Sequence, residues 1–372
     1  MKSRIAQFAV NSGLVLASLA VALLAIELIL QIWNPFQYRV KGNRIVLPIN
    51  MVYSGSFAEA VPGLDRTFTH TKNSLGMRGQ EPPSDLSERL SIVAVGGSTT
   101  ECFYLSDGQT WPDSLAARLG PAFRDLWVNN AGLDGHSTFG HIVLLEDYLV
   151  KLKPKVALFL VGTNDRARRE AAVPDLRNIG GSLSLTNPRT FVYSVANRSE
   201  VVGLAMAVYR AWQARNFKVT HEFGDVEAMR RRDIPTDAEI AAAAAAHKDS
   251  LTGYRQRLDR IVTTAKASGI EPVLMTQPSL ARPAEGRRAP MFWHELDLYN
   301  VETRMAAEHH KVLLIDLARL LPDDSRMFYD MVHFTVAGAD AVGRLTAEAL
   351  CPYLAERYPQ HRAGACPASP GS

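Results

Sequence analysis

Cysteine is scarce in this chain, with three in 372 residues: Cys102, Cys351 and Cys366. Their spacing makes neither a Cys-x-x-Cys pair nor a zinc ligand set, which excludes a dithiol redox motif and a cysteine-built zinc module. Cys351 and Cys366 stay open to two readings, free thiols or a disulfide formed in an oxidising compartment. Charge of one sign is lacking too. A net charge of +3, with no basic cluster interleaved with aromatics, gives no footing for nucleic acid. No internal repeat is visible, and the alanine run 241–246 reads as strong helix propensity rather than disorder. No cofactor is expected. Beyond residue 34 no apolar run is long enough to cross a bilayer, so everything after it is expected on one side of any membrane.

One such run does exist. Residues 8–26 carry no charge, and after Glu27 the apolar run resumes through Leu28, Ile29 and Leu30 to Trp33. About 20 apolar residues suffice to span a bilayer, and Trp33 and Tyr38 suit its interface. Ala20-Val21-Ala22 has the small-x-small form of a signal-peptide site. The chain stays apolar beyond it, however, which favours an uncleaved anchor over residues 8–33, behind a short tail of residues 1–7. Lys2 and Arg4 on one side are balanced by Arg39, Lys41 and Arg44 on the other, so charge leaves the orientation open.

The remainder has ordinary globular composition, 47% hydrophobic and 21% charged. Residues 34–89 read as a loop-rich connector folded onto the domain, holding Asn73-Ser74-Leu75-Gly76-Met77-Arg78 and then Pro82-Pro83. Strands and helices then alternate. Apolar runs at 92–95, 126–128, 156–161, 272–275 and 312–315 each end near glycines or polar residues. Helices are expected from Thr110 to Gly120, from Ser137 to about Lys151, and from a Thr236/Glu239 capping box to Gly269. This alternation predicts an α/β fold whose parallel sheet is covered on both faces, over residues 90–353. The stretch 166–235, with Arg166, Arg168 and Arg169 and a helical part at 192–213, reads as an insertion or cap. Those arginines either favour an anionic substrate or form a solvated basic helix start. Residues 354–372 read as a flexible tail rich in Pro, Gly, Ala and Ser.

Serine hydrolysis needs a nucleophile, a base, a group that orients the base, and oxyanion donors. Ile92-Val93-Ala94-Val95-Gly96-Gly97-Ser98 brings a hydroxyl to a strand's carboxyl edge, where open α/β sheets place their sites. Thr99 and Thr100 are chemically able alternatives. Gly135, after the second strand, lets a backbone N–H approach a substrate, or is a plain turn glycine. Asn164, in Gly-Thr-Asn-Asp, is an amide donor or an Asx turn, and Asp165 beside it reads as a loop anchor. Asp330-Met331-Val332-His333 has the spacing at which a short turn brings carboxylate to imidazole Nδ1, leaving Nε2 to take a serine proton. Metal binding competes for that pair, but spacing supplies no third or fourth ligand.

These four blocks, in this order after successive strands, resemble the SGNH hydrolases, also called GDSL-type esterases and lipases, with Gly-Gly-Ser98 replacing Gly-Asp-Ser. The resemblance implies a flavodoxin-like three-layer α/β/α sandwich with a five-stranded parallel sheet. It also implies Ser98 as nucleophile, His333 as base and Asp330 as its orienter. The Ser98 N–H, Gly135 and Asn164 would form the oxyanion hole. More narrowly, the anchor, the 73–78 motif, Gly-Gly-Ser-Thr-Thr and Thr276-Gln277-Pro278 resemble membrane-anchored bacterial SGNH proteins of envelope or exopolysaccharide metabolism. In these the domain generally lies outside the cytoplasm, which points to a single-pass inner-membrane protein. Cys102 stands where such proteins often have glycine and is near enough to narrow the pocket. The expected activity is removal of O-acyl groups, acetyl first, from a surface glycan. An O-acyltransferase, a lipase or thioesterase, and a silent glycan-binding protein are the alternatives.

Overall fold

The computed structural model describes residues 2–36, 40–41, 44–166, 188–216, 221–284 and 287–367. Tyr38, Arg39, Arg168 and Arg169 lie outside them. The chain divides into two compact units: residues 1–46 with 174–218, and residues 47–173 with 219–372. The stretch read as one insertion is thus shared between units, its 174–218 part grouping with the N-terminal helix instead of the sheet.

In the first unit one helix runs unbroken over Lys2–Ile32, and its Val10–Ile32 portion is long and apolar enough to cross a membrane. Glu27, the charge that interrupts the apolar run, has a use. Its carboxylate accepts from the Ser199 hydroxyl at 2.7 Å and from the N–H groups of Glu200 and Val201 at 2.9 and 3.1 Å. Those N–H groups open the helix Glu200–Asn216 and have no partner within it, so Glu27 acts as its cap.

The second unit is built on a six-stranded sheet. Its strands are β1 (Arg78–Gly79), β2 (Leu90–Gly96), β3 (Leu126–Asn130), β4 (Val156–Leu160), β5 (Glu271–Met275) and β6 (Leu314–Ile315), in spatial order β6-β5-β4-β2-β3-β1. β2 to β6 are parallel. The sheet is mostly parallel as expected, but has six strands instead of the expected five parallel ones, since an antiparallel edge strand, β1, pairs Arg78 with Asn130 and Gly79 with Asn129. Every residue of β2 and β4 is buried, as a sheet covered on both faces demands, which is why these strands read as continuous apolar runs. Leu90, Ile92 and Ala94 of β2 join Trp111, Leu115 and Leu350 in one buried cluster. The helices Trp111–Leu119 and Val336–Arg357 pack together there. The helix Asp237–Ala267 packs with Met291–His310, and right-handed crossovers put this second layer on the opposite face. The expected Thr236–Glu239 capping box forms, and a second one, Thr110 with Asp113, opens the helix Trp111–Leu119.

β2 lies between β3 and β4, so the chain leaves it first to one side and later to the other. That reversal opens a crevice at its carboxyl end. Beside the sheet, an antiparallel ribbon pairs Met51–Ser56 with Thr67–Lys72. Phe68, His70 and Lys72 alternate into its buried face, where His70 meets Tyr53 and Phe103 with ring centroids 5.0 and 4.8 Å apart.

The carboxyl-terminal stretch is not a flexible tail as far as residue 367. A disulfide joins Cys351 to Cys366. Ala363 N–H donates to Ala122 carbonyl at 2.8 Å, and Arg124 N–H to His361 carbonyl at 2.8 Å. Small and polar composition signals disorder only where no tertiary bond fastens the backbone, and here several do. Cys102 is the free cysteine, buried, and burial pushes its thiol up to about 12. Thiol titration is therefore expected to find no reactive group in the native protein, one after unfolding without reductant, and three after reduction.

His70 generates a second expectation. Burial, then the charges of Arg78 and Lys72, push its imidazole down to about 3. Below about pH 6.5 the unfolded chain protonates this residue while the fold keeps it neutral. The unfolded state then binds more protons, so stability falls as pH falls. Urea unfolding at pH 7 and pH 5 should show His70 contributing a loss of about 2 kcal/mol. His70→Phe should remove that difference, and an unchanged difference in the variant would contradict this reading.

Candidate active site

At the end of β2 the backbone turns at Gly97 into a one-turn helix, Ser98–Glu101. A Cβ on Gly97 would sit 2.4 Å from Asn164 Nδ2 and 3.0 Å from His136 carbonyl oxygen. Glycine is required there because the loops after β3 and β4 come that close to the turn. Thr99 and Thr100 face away: the Thr99 hydroxyl donates to Gln277 Oε1 at 2.8 Å, and Thr100 is fully buried. The Thr276-Gln277-Pro278 block thereby holds the turn from the β5 side. Cys102 does not narrow the crevice. It lies in the apolar core with Sγ 3.3 Å from Thr99 carbonyl oxygen. Its backbone has φ 51° and ψ 53°, the left-handed conformation that favours glycine.

The segment after β6 brings Asp330 and His333 to the turn. Asp330 Oδ1 accepts from the N–H groups of Val332 and His333 at 2.9 and 2.8 Å, closing a tight loop. Asp330 Oδ2 then meets His333 Nδ1 at 2.6 Å, and His333 Nε2 meets Ser98 Oγ at 2.7 Å. A hydroxyl, an imidazole and a carboxylate thus form one hydrogen-bonded relay across a separation of 235 residues. Burial opposes ionisation of Asp330, but the His333 ring and the two N–H donors outweigh it and hold the carboxyl below its ordinary value. Such a carboxylate orients the ring and favours a proton arriving on Nε2.

Gly135 follows β3 with φ 73° and has open space where a Cβ would stand. Asn164 opens toward the same turn, its amide donating one N–H to His136 carbonyl at 2.8 Å; an amide nitrogen carries two hydrogens, and the second has no acceptor among the described residues. Asp165 is the anchor expected of it, buried and accepting from Thr138 N–H and Arg257 at 3.1 Å each. Arg166 turns to Glu295 and lies over the Phe292 ring at 4.2 Å, which occupies its charge within the protein.

His221 also stands beside the relay, without any signal in the sequence. Its ring stacks on His333 with centroids 4.0 Å apart, and its Nδ1 shares a hydrogen bond of 2.6 Å with the Tyr329 hydroxyl. No motif or periodicity marks this residue in the 166–235 stretch. His221, Asp330 and His333 offer one ligand atom each within 4.8 Å of one another, the separation a metal ion needs. Both nitrogens of His333 are already engaged by Ser98 and Asp330, so the chemistry of this set is that of a proton relay.

Residues 94–341 match the model of the GDSL-like lipase/acylhydrolase family. The chain belongs to that family and is on that ground an ester hydrolase. Among curated proteins none matches it. Similar solved structures include LAE5, an alpha/beta hydrolase enzyme from the metagenome of Lake Arreo, Spain, at 18% identity and TM-score 0.42, with 70% of this chain and 95% of that one covered. Axe2, an acetylxylan esterase from Geobacillus stearothermophilus, is similar at 16% identity and TM-score 0.42, covering 70% and 93%. TesA follows at 17% identity and TM-score 0.40, covering 70% and 98%. At these TM-scores nothing about substrate follows.

Gly97→Ala tests the convergence of loops. The added methyl must displace the Asn164 amide, so ester hydrolysis is expected to fall about 10²-fold, the scale on which an oxyanion donor acts, with little change in melting temperature. Undiminished kcat would show that Asn164 need not stand where it does.

Proposed function

We propose that Ser98 is the nucleophile of an O-acyl esterase, with His333 as general base and Asp330 as its orienter. The backbone N–H groups of Ser98 and Gly135 and the Asn164 amide form the oxyanion hole. The observation that carries this is the continuous relay from Ser98 Oγ to Asp330. Attack on the ester carbonyl passes the hydroxyl proton to His333 Nε2, and the negative charge developing on the carbonyl oxygen meets the donors at Gly135 and Asn164. His333 returns that proton to the leaving alcohol, and water repeats the cycle on the acyl-enzyme.

The substrate we infer is an acyl ester, acetyl foremost, on an envelope or extracellular glycan. Aromatic rings continue from His333 through Tyr329, Tyr104 and Phe223 to Phe57, with neighbouring centroids between 5.2 and 6.4 Å. Phe223 is 42% exposed. Flat ring faces suit the C–H faces of sugar rings, and the Tyr104 hydroxyl and Asp134 beside them suit sugar hydroxyls. Membrane anchoring is supported by the helix continuing past Ala20-Val21-Ala22 to Ile32. The Cys351–Cys366 disulfide supports an oxidising compartment, and so the extracytoplasmic side of the inner membrane.

The test uses the full-length chain in detergent with p-nitrophenyl acetate and with acetylated oligosaccharides. Ser98→Ala should lower kcat on both at least about 10⁴-fold. Phe223→Ala should cost the oligosaccharide about tenfold more in kcat/KM than the small ester, the scale of one aromatic contact. Turnover intact in Ser98→Ala would overturn the mechanism. Equal losses on both substrates in Phe223→Ala would remove the sugar surface, and acyl transfer to added glycan in preference to water would replace hydrolysis by transfer.

A further inference from the structure

The 73–78 motif, and the charges beside it, have no part in the relay, yet they lie directly beneath it. Lys72, Arg78 and Glu101 are sealed from solvent, with side chains 0, 1 and 3% exposed. Buried charges are kept only where partners hold them, and partners here come from the Ser98 turn with its continuation and from the loop after β3. Glu101 ends the one-turn helix that begins at Ser98. Its carboxylate pairs with Lys72 Nζ at 3.1 Å and accepts the N–H of Asp134. Lys72 also donates to Gly132 carbonyl at 3.3 Å. One ion pair therefore grips both ends of residues 132–134, immediately before Gly135.

Arg78 holds the other side. It donates to the carbonyls of Glu101, Cys102 and Leu105 at 2.8, 2.7 and 2.8 Å, and so fixes the chain that leaves the one-turn helix. A guanidinium presents its five N–H donors in a rigid fork, which suits three acceptors fixed in place. The two loops are in contact as well: a Cβ on Gly132 would fall 2.2 Å from Glu101 N. Asn130 Nδ2 ties β3 to Thr100 carbonyl at 2.6 Å.

We propose that Lys72 and Glu101 clamp the 132–135 loop to the Ser98 turn while Arg78 fixes the segment that leaves that turn, and that these three positioning residues together set the distance between nucleophile and Gly135 donor. This rests on the reading of Gly135 and Asn164 as oxyanion donors. An apolar cluster of the same volume would fill the space, but would not hold a backbone N–H and a backbone carbonyl of one loop by directed bonds.

The test compares full-length wild type, Lys72→Met, Glu101→Gln, the double variant Lys72→Met/Glu101→Gln, Arg78→Lys and Asn164→Ala. Three readouts are taken: kcat and KM on p-nitrophenyl acetate, inhibition by a trifluoromethyl ketone whose serine adduct carries the oxyanion, and melting temperature. Each single change is expected to lower kcat about 10- to 100-fold, the effect of small misplacements, with KM within about twofold. Ketone Ki should rise in step with the loss of kcat/KM. The double variant buries no lone ammonium, so its melting temperature should recover from that of Glu101→Gln while its kcat does not. Recovery of kcat together with melting temperature would overturn the proposal, as would wild-type Ki in folded Arg78→Lys. Asn164→Ala separates the two readings. If it raises Ki and the cluster variants do not, the clamp is wrong and the oxyanion reading stands. If Asn164→Ala leaves Ki unchanged, the oxyanion reading itself has failed.

Discussion

The candidate site depends on packing so close that a Cβ on one residue would collide with the Asn164 side-chain amide. Gly97 stands where β2 ends, and the Asn164 amide and His136 carbonyl occupy the space a Cβ would take. The topology creates this crowding, because β2 has β3 on one side and β4 on the other and the carboxyl ends of all three strands open into one crevice. A hydroxyl at the first residue after the turn then stands beside the loops that follow both neighbouring strands. Closeness of this kind is what electrostatic stabilisation of an oxyanion requires, since donors must be in place before charge develops.

Apolar burial and polar bonding divide the work. The sheet and its helices are held by fully buried side chains such as Ile92, Trp111, Phe159 and Leu350, whose removal from water is the main stabilising term. That force is non-directional, and it cannot aim a loop. The loops are aimed by buried polar contacts: Thr99 on Gln277, Asp165 on Thr138 and Arg257, Asn130 on Thr100 carbonyl. Asp330 acts twice by polar bonding, since the carboxylate that meets the imidazole also closes its own turn through two N–H groups.

Much of this was legible because its signals are local. Apolar runs ended by glycine marked β2 and β4, and Asp-x-x-His encloses the Asp330–His333 contact within one turn. Ser98 and His333 are each candidates from their local sequence, the resemblance implies that they act as one set, and the geometry brings the three side chains into hydrogen-bond contact. What escaped depends on distant partners. β1 is two residues long and shows no periodicity; it is a strand only because β3 offers it an edge. His221 gains its place from ring contacts with His333 and Tyr329. The last turns of the chain looked like a loose tail, yet hydrogen bonds to Ala122 and Arg124 and a disulfide fasten them. Glu27 interrupts an apolar run with no local signal of its use, because its partners lie more than 170 residues away.

The most direct test of the account is to trap the acyl-enzyme. Full-length protein is mixed with p-nitrophenyl acetate, quenched in acid during the first turnover, digested and examined by peptide mass spectrometry. The account predicts one acetyl group, carried by Ser98, with p-nitrophenol released in a burst matching the enzyme concentration. Acetyl on another residue, or steady turnover with no acylated Ser98 at any time, would contradict it.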